Sequence, residues 1–445
     1  MISPQALLNR FQGRFLFVRL GHSQTHKQTD MKNLLTLIIL ITLSFNLSAQ
    51  ANCDCKPELD FVYSQMKKMN SFKHQVKGNK KAEFENLYQQ LRGETVNEMT
   101  KVDCFWKLNQ LEHFVDDKHA EVYEPRPDYT MDDIFDSTFI KSYRTSDAFK
   151  NHPKVDLDLT QLKTQLKSKP AAGIEGIYNA GSLMKLGVYR IDADSLVGVV
   201  LESQISIWEP GHIYAYIKQT DSPSRFNIVL YGQLYKNLIF AEEQLFENGQ
   251  LFSTTRKEGS DEAYDIVNVT SDEAESFKLS RLNDDVQYVW MNSFNRSTMR
   301  NNRDQLITQI ENELNSPYLI VDLRNNVGGS DKISKPIIKA IKKSKAQVYV
   351  LTNFYTGSNG ELTTGRLRKL KNTVHLGQTT YGALGYGTNY GRTYTSPSGM
   401  FTYAPTDMRQ ASFLPYENEG IGPEIKLDTN TDWVEQTLAI IDGNK

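Results

Sequence analysis

Between residues 52 and 125, apolar residues recur three or four positions apart, which is the spacing of one face of an α-helix. Two runs carry the pattern, one from Leu59 to Met69 and one from Phe105 to Val115. The residues between them are polar and rich in Lys and Glu. We therefore predict an N-terminal helical region over residues 52–125.

The pattern changes after residue 126. Residues 126–172 carry Pro127 and Pro153 among many Asp and Ser residues, a composition typical of an irregular connector. Residues 173–260 are short β-rich runs between turn residues, and Asn248-Gly249 is a strong hairpin signal. We predict an antiparallel β module here, with Trp208 in its core because aromatic side chains dominate core energetics.

A third pattern begins near residue 280, where short apolar runs alternate with amphipathic helical stretches. Strands are expected at 286–294, 318–323, 347–351 and 373–376, and helices at 304–314, 334–343 and 360–371. This alternation indicates parallel strands covered by helices on both faces of the sheet. Residues 280–445 are thus predicted to form an α/β core, into which the β module is an insertion.

Residues 31–51 have the anatomy of a secretory signal. Lys32 precedes an apolar stretch from Leu34 to Leu47, which is short for a bilayer span, and Ala49-Gln50-Ala51 is a small-x-small cleavage site. We interpret residues 1–30 as a mis-called upstream extension. The signal predicts a periplasmic or secreted protein. Because no other stretch is apolar for about 18 residues, we expect no transmembrane span in the mature chain.

Composition narrows the possible partners. The 445 residues carry a formal net charge of -2, which gives no reason to expect nucleic acid or an anionic membrane surface as a partner. Apolar residues make up 39% and charged residues 23%, as in an ordinary globular protein of two or three domains. The oligomeric state stays open.

The three cysteines are Cys53, Cys55 and Cys104. Export permits a disulfide between Cys104 and one of the other two, and the spacing leaves the choice open. A metal site is not favoured, because the spacing lacks a second close cysteine pair and a nearby histidine pair.

The first candidate for chemistry is the end of the strand predicted at 318–323, where Asp322 and Arg324 are followed by Gly328-Gly329. Functional sites gather where parallel strands end, and glycines let main-chain N–H groups approach a substrate. Such N–H groups form an oxyanion hole, although a plain turn explains the same residues. We interpret Asp322 and Arg324 as a structural ion pair, since buried charges are normally paired.

The second candidate is Ser358, which follows Thr356-Gly357 and precedes a predicted helix. The positive end of the helix dipole would favour an anion that develops there, and the N–H of Asn359 is a further oxyanion donor. The alternative is a helix cap, in which Ser358 and Glu361 form a capping box. Taken alone, the cap explains this segment better.

Four segments occur together and in order: Asp322-Leu-Arg-Asn-Asn-Val-Gly-Gly, Val350-Leu-Thr-Asn-Phe-Tyr-Thr-Gly-Ser-Asn-Gly-Glu361, Leu376-Gly-Gln-Thr-Thr-Tyr-Gly382 and Glu417-Asn-Glu-Gly-Ile-Gly-Pro-Glu-Ile425. The combination resembles the tail-specific, or C-terminal-processing, serine peptidases and their tricorn-core relatives, over about residues 284–430. The resemblance implies a crotonase-like α/β protease core with Ser358 as nucleophile.

The chain departs from the tail-specific pattern at Ala383, where those members carry a lysine general base. A Ser–Lys dyad is therefore not available there, and a serine without a base is a poor nucleophile. The tricorn-like branch uses His and Glu instead, and the resemblance implies His119 as base and Glu417 as its support. That branch has a serine just before its His, where this chain has Lys118.

Simpler explanations exist for both residues. His119 at a helix end can merely complement the helix dipole, and Glu417 can belong to a solvated acidic loop with Glu419 and Glu424. A PDZ module, which many tail-specific members hold, is not found in residues 121–280, and the β module occupies its place in the chain.

These residues together predict an exported serine peptidase that acts on a protein or peptide substrate without a metal or organic cofactor. Ser358 would attack the peptide carbonyl, and His119 would act as base with Glu417 in support. The expected oxyanion donors are the N–H groups of Gly328, Gly329 and Asn359. The alternative is a catalytically silent ligand- or peptide-binding protein on the same fold, which the missing lysine and the substituted serine favour.

Overall fold

The computed structural model describes residues 52–96, 99–252, 255–260 and 275–443. The upstream extension predicted at 1–30 and the secretory signal predicted at 31–51 lie outside the described residues. Within the described ranges, no helix combines the length and the apolar character that crossing a bilayer requires.

The N-terminal region folds into helices whose apolar positions meet in one core. Leu59, Val62 and Met66 on the first helix are buried in the same cluster as Phe105 and Leu108 on the fourth. The elements are β1 (Asn52–Cys53), α1 (Cys55–Met66), α2 (Asn70–Gln75), α3 (Asn79–Gly93), β2 (Met99–Thr100), α4 (Lys101–Glu112) and β3 (Glu121–Tyr123).

A disulfide joins Cys55 at the start of α1 to Cys104 in α4, with the two Cα atoms 5.5 Å apart. The partner of Cys104 is therefore Cys55 and not Cys53, a pairing that the spacing in the sequence did not decide. Cys53 is a buried free thiol.

Removing this cross-link should lower the free energy of unfolding by about 2–4 kcal/mol, because it restricts the unfolded chain between residues that are 49 positions apart. The double variant Cys55→Ser/Cys104→Ser tests this by urea denaturation followed by circular dichroism. Cys53→Ser, which removes a buried thiol but no cross-link, is the control and should lose less. An equal loss in both variants would show that the bond itself adds nothing.

The connector predicted at 126–172 is more regular than its composition indicates. It contains a 3-10 helix at Asp133–Phe135 and helices α5 (Ser137–Tyr143), α6 (Asp147–Lys150) and α7 (Leu159–Lys167). The polar residues that suggested an irregular chain include helix N-caps, since the side chains of Asp136, Ser146 and Asp158 accept hydrogen bonds from N–H groups of the first turns.

The β module is one eight-stranded antiparallel sheet in the order β10-β11-β4-β5-β6-β7-β8-β9. Asn248 and Gly249 turn the chain between its last long strand and the next with φ of 48° and 72°, as a type I′ hairpin turn requires. The strands are β4 (Gly176–Ala180), β5 (Met184–Arg190), β6 (Ser195–Ser203), β7 (Ile213–Gln219), β8 (Arg225–Tyr231), β9 (Leu238–Leu245), β10 (Gln250–Phe252) and β11 (Thr255–Lys257).

The helical region and the β module share one apolar core. A single cluster of buried side chains runs from α1 and α4 into the sheet. Trp106 on α4 packs edge-on against Phe240 on β9, with ring centroids 5.5 Å apart. Trp208 is buried in this core, and its indole N–H donates to the carbonyl oxygen of Gln233 at 2.7 Å. The two predicted regions are therefore one packed unit.

The C-terminal part holds a six-stranded sheet in the order β12-β13-β14-β15-β16-β21, parallel from β13 onward. One face packs on α8 and α9 and the other on α11, which explains its buried, apolar strands. The elements are β12 (Ser280–Arg281), β13 (Val286–Trp290), α8 (Arg300–Glu313), β14 (Tyr318–Asp322), α9 (Asp331–Ser344), β15 (Gln347–Thr352), α10 (Asn359–Leu367), β16 (Thr373–Gly377), β17 (Tyr386–Gly387), β18 (Tyr394–Thr395), β19 (Thr402–Ala404), β20 (Met408–Arg409), a 3-10 helix (Ala411–Tyr416), β21 (Ile425–Lys426) and α11 (Trp433–Gly443).

The parallel register sets the ends of β14 and β15 side by side. Asp322 pairs with Leu351, so the loops that follow leave the sheet at the same edge. Asp322 and Arg324 form a buried ion pair at this edge, with Arg324 Nη2 2.6 Å from Asp322 Oδ2.

A three-stranded sheet joins the N-terminal region to the C-terminal part. β3 pairs antiparallel with β19, which also pairs with β18. On the other side, the N–H of Glu124 just after β3 donates to the carbonyl oxygen of Leu238 on β9. The pairing joins segments that are distant in sequence, and it fixes where the residues just before β3 lie.

Candidate active site

Ser358 lies where the chain turns from β15 into α10. Its φ and ψ are 50° and -119°, a conformation that is uncommon for residues other than glycine. The N–H of Ser358 donates to Glu361 Oε2 at 2.9 Å, and its carbonyl oxygen accepts from Leu362 at 3.0 Å. Gly357 N–H donates to the carbonyl oxygen of Asn326 at 2.9 Å. These bonds hold the strained turn, while the Ser358 side chain stays partly exposed.

Ser358 Oγ lies 2.9 Å from His119 Nε2. This distance suits a hydrogen bond between a nucleophile and its base. The other ring nitrogen, His119 Nδ1, has no hydrogen-bond partner within the described part of the chain. If Nε2 is to accept the serine proton, Nδ1 must carry the hydrogen of the neutral imidazole.

The turn Asp117–Ala120 presents the imidazole. Ala120 N–H donates to the carbonyl oxygen of Asp117 at 3.0 Å, and His119 N–H donates to Asp117 Oδ1 at 3.3 Å. The hydroxyl of Thr406 donates to the other carboxylate oxygen of Asp117. Because Thr406 follows β19 and the turn precedes β3, the pairing of these two strands orients the turn.

Glu417 supports the same turn through the main chain. Its Oε1 accepts from the N–H of Lys118 at 2.7 Å, and its Oε2 accepts from the N–H groups of Leu384 and Gly385 at 2.9 and 2.6 Å. The residue is only 8% exposed. The carboxylate thus ties the residue before His119 to the segment after β16.

Glu361 is a second buried carboxylate of the site, for which the sequence predicted only helix capping. Burial raises its pKa from 4.5 to about 7, its hydrogen bonds oppose that rise, and the nearby Glu417 adds to it. Glu361 therefore links the main chain of Ser358 to the segment after β16. Its four hydrogen bonds, 2.6–2.9 Å long, come from Thr380 Oγ1 and the N–H groups of Ser358, Gly382 and Ala383.

Ala383 is buried where the tail-specific pattern has a lysine, and its N–H is engaged by Glu361. Lys118, the residue before His119, contacts the segment after β16 and the β module. Its Nζ donates to the carbonyl oxygen of Tyr381 at 3.1 Å and lies 3.7 Å from Glu243 Oε2. The ammonium group also lies 4.5 Å from the ring centroid of Tyr381.

The N–H groups of Gly328 and Gly329, both expected to be oxyanion donors, differ in hydrogen bonding and direction. Gly328 N–H already donates to Asn326 Oδ1 at 2.9 Å, so this expected donor is engaged inside the protein. The carbonyl of Gly328 accepts from Phe294 N–H at 2.8 Å. Because the peptide is trans, the N–H of Gly329 points the opposite way, away from Phe294, and this residue is exposed.

The N–H of Asn359 is the other candidate donor. It belongs to the same trans peptide as the Ser358 carbonyl, which accepts from Leu362 within α10, so the N–H points out of the helix N-terminus. Gly328 packs directly against this peptide: a Cβ added there would lie 2.6 Å from Asn359 N and 2.6 Å from Ser358 Cβ. Glycine at 328 therefore allows this loop to lie close to Ser358, where any side chain would collide.

Solved structures that resemble this chain include several proteases. Mature CPAF is 10% identical, with a TM-score of 0.42 over 87% of this chain and 96% of that one. The tricorn protease is 13% identical, with a TM-score of 0.39 over 87% of this chain and 36% of that one. The photosystem II D1 C-terminal processing protease is 12% identical, with a TM-score of 0.36 over 86% of this chain and 96% of that one.

No family model and no curated protein matches the chain.

Proposed function

We propose that this protein is an exported serine peptidase that hydrolyses peptide bonds through Ser358 and His119. The observation that carries the proposal is the 2.9 Å contact between Ser358 Oγ and His119 Nε2. A serine hydroxyl becomes an effective nucleophile when an adjacent base can take its proton, and this imidazole is so placed.

The reaction follows from this geometry. His119 Nε2 takes the proton of Ser358 while Oγ attacks the peptide carbonyl carbon. The N–H groups of Gly329 and Asn359 stabilise the tetrahedral oxyanion, an effect worth about 3–4 kcal/mol for one donor in other serine hydrolases. The imidazolium then protonates the leaving amine. Water, deprotonated by His119, hydrolyses the acyl-enzyme and restores both residues.

Glu417 acts in this proposal as a positioning residue. Its bond to the N–H of Lys118 holds the turn that presents His119, and no contact of the carboxylate with the ring is required. The crotonase-like core and the carboxyl-terminal processing activity that the resemblance implies belong to the same proposal. The Cys55–Cys104 disulfide supports export, since such bonds persist in oxidising compartments.

A fluorophosphonate probe tests the nucleophile. We expect it to label the folded protein at Ser358, as read by mass spectrometry, because the probe reacts with activated serines. Ser358→Ala should not label. Ser330→Ala removes a serine of the neighbouring loop and is the matched control, which should label like the wild type.

The binding protein remains the second candidate, because Ala383 and Lys118 replace residues that the related enzymes use. A folded protein that resists the probe, with circular dichroism unchanged, would favour this candidate over the peptidase.

A further inference from the structure

The side chain of Lys118 is buried beside the site, and the reaction above does not use it. Its ammonium group donates to the carbonyl oxygen of Tyr381 at 3.1 Å and lies 3.7 Å from Glu243 Oε2. The same group lies 4.5 Å from the ring centroid of Tyr381. A charge inside a protein is strongly unfavourable unless it is paired and hydrogen-bonded, so these contacts determine where the side chain lies.

The main chain of Lys118 leads directly to the base. Its N–H donates to Glu417 Oε1 at 2.7 Å, and the next residue is His119, whose Nε2 lies 2.9 Å from Ser358 Oγ. Lys118 is thus held at its main chain and at the end of its side chain. A base must stay within hydrogen-bond reach of its nucleophile, and a displacement of about 1 Å can cost about 100-fold in rate. The contacts of the ammonium group therefore bear on the reaction.

Glu243, the carboxylate partner of Lys118, belongs to a bulge of the β module. The register between β8 and β9 shifts here, so that Asn227 alone lies opposite Glu242 and Glu243. Glu243 has a φ of 43°, its N–H donates to Asn227 Oδ1 at 2.9 Å, and its carbonyl oxygen accepts from Arg225 Nη1 at 3.1 Å. A bulge can direct a side chain away from the regular alternation of a strand. These bonds hold the main chain in the conformation that directs the carboxylate at Lys118.

The same part of the β module contacts the loop that carries the nucleophile. The central carbon of the Arg225 guanidinium lies 4.2 Å from the ring centroid of Phe354, which follows β15, and a cation over an aromatic face is attracted to it. Leu245 at the end of β9 packs in one apolar cluster with Phe354 and Tyr381. The bulge and its neighbours therefore contact the loop after β15, the segment after β16 and the residue before the base.

We propose that Lys118 is a positioning residue for His119, and that the β module holds Lys118 in place through Glu243. The module is then part of what arranges the active site, and a displacement of Glu243 is passed on to the base. This inference rests on the proposed function, to which it adds a positioning residue and the part of the fold that fixes it.

Lys118→Met tests the ammonium group, since methionine keeps an unbranched apolar side chain without the charge. The substrate is a fluorogenic peptide built around a bond of β-casein that the wild type cleaves. We expect kcat to fall about 10–100-fold while KM stays within about threefold, because the base is displaced but the substrate still binds. Fluorophosphonate labelling of Ser358 should slow by a similar factor. Lys118→Arg, which keeps the charge, should retain more of the rate.

Lys257→Met is the matched control. Lys257 is 4% exposed and Lys118 is 3% exposed, and the ammonium group of Lys257 also donates to main-chain carbonyl oxygens, those of Pro170 and Gly173. Both variants should unfold at lower urea concentration than the wild type, but Lys257→Met should keep the wild-type kcat. An equal fall of kcat in both variants would overturn the inference, because lost stability would then explain it.

Glu243→Gln tests the link to the β module. It should lower kcat about two- to fivefold, since an ion pair with a part-exposed carboxylate is weak. Combined with Lys118→Met it should cause no further loss, because its partner is already absent. A double variant that loses the product of the two single factors would overturn the role of the module. If Lys118→Met does not fold, Glu243→Gln decides alone, and a wild-type kcat would contradict the link.

Hydrogen exchange separates failure of the peptidase from failure of this inference, because it needs no catalysis. The N–H groups of Lys118 and Ala120 are hydrogen-bonded in the turn, and mass spectrometry of residues 117–123 follows their exchange. Lys118→Met and Glu243→Gln should exchange faster there than the wild type and Lys257→Met. Faster exchange in a protein that no fluorophosphonate labels would refute the peptidase and support the hold on the turn. Unchanged exchange in a protein that labels would refute the hold and leave the nucleophile.

Discussion

Replacing His119 by alanine should lower kcat/KM for peptide hydrolysis by roughly 10⁴–10⁶-fold, the loss seen when the base of a Ser–His pair is removed in other serine hydrolases. The reason is local: Ser358 Oγ has His119 Nε2 at 2.9 Å, and Ala383 offers no basic side chain in place of a lysine. Steady-state kinetics on a fluorogenic peptide measure the loss. Added imidazole should restore part of the rate in His119→Ala but not in Ser358→Ala.

His74→Asn is the matched control for that experiment. His74 is also partly exposed, and its ring bonds the hydroxyl of Tyr386 at 3.0 Å rather than the nucleophile. We expect its kcat/KM to stay close to that of the wild type. If His119→Ala retained activity within tenfold of the wild type, another group would have to take the serine proton, and the assignment of the base would be wrong.

The largest effect on stability is expected at the end of β14. Arg324→Met should lower the free energy of unfolding by roughly 3–5 kcal/mol, because it leaves the carboxylate of Asp322 buried without its cation. Asp322 and Arg324 are 0% and 1% exposed, and the hydroxyl of Tyr288 also donates to the carboxylate at 2.9 Å. Urea denaturation followed by tryptophan fluorescence measures the change, since Trp433 packs near the guanidinium.

The double variant Asp322→Leu/Arg324→Met separates pairing from packing. Removing both charges leaves no buried ion, so most of the lost stability should return. The remaining deficit would come from the hydroxyl of Tyr288 and the main-chain N–H of residue 324, which both lose the carboxylate as acceptor, and Tyr288→Phe should remove the first part. A double variant as unstable as Arg324→Met would show that packing, and not the ion pair, stabilises the end of β14.

Local signals in the sequence made Ser358 a candidate, although taken alone they favoured a helix cap, and the family resemblance then made it the proposed nucleophile. In the sequence, Ser358 follows a strand and small residues and precedes a helix. This local order alone predicts a serine between a strand end and the N–H groups of a helix N-terminus. The same local signal also predicts a helix cap. The structure shows the capping contact, since Glu361 accepts from the N–H of Ser358, and it also places the Ser358 hydroxyl next to His119.

The base was predicted only through the family resemblance. Nothing near His119 distinguishes it from a histidine at a helix end. Its position depends on the pairing of β3 with β19 and on Glu417, contacts across most of the chain that neither periodicity nor spacing encodes.

Side-chain contacts account for what the sequence missed. The sequence predicted only a capping role for Glu361, because its other partners, Thr380, Gly382 and Ala383, are distant in sequence. Gly328 resembled an oxyanion donor because the amide of Asn326, which engages its N–H, has no sequence signature. The connector resembled an irregular chain because capping residues and loop residues are the same types.

The distance along the chain between His119 and Ser358 has a consequence for the timing of activity. A ribosome that has released residue 119 has made the base, but the nucleophile comes later, and Glu417 later still. A chain shorter than 358 residues therefore lacks the pair, so under the proposed function it would cut no peptide bond at that stage of synthesis. Under the proposed function, a single backbone break between residues 119 and 358, followed by separation of the two pieces, would abolish activity without altering any of the residues proposed to react.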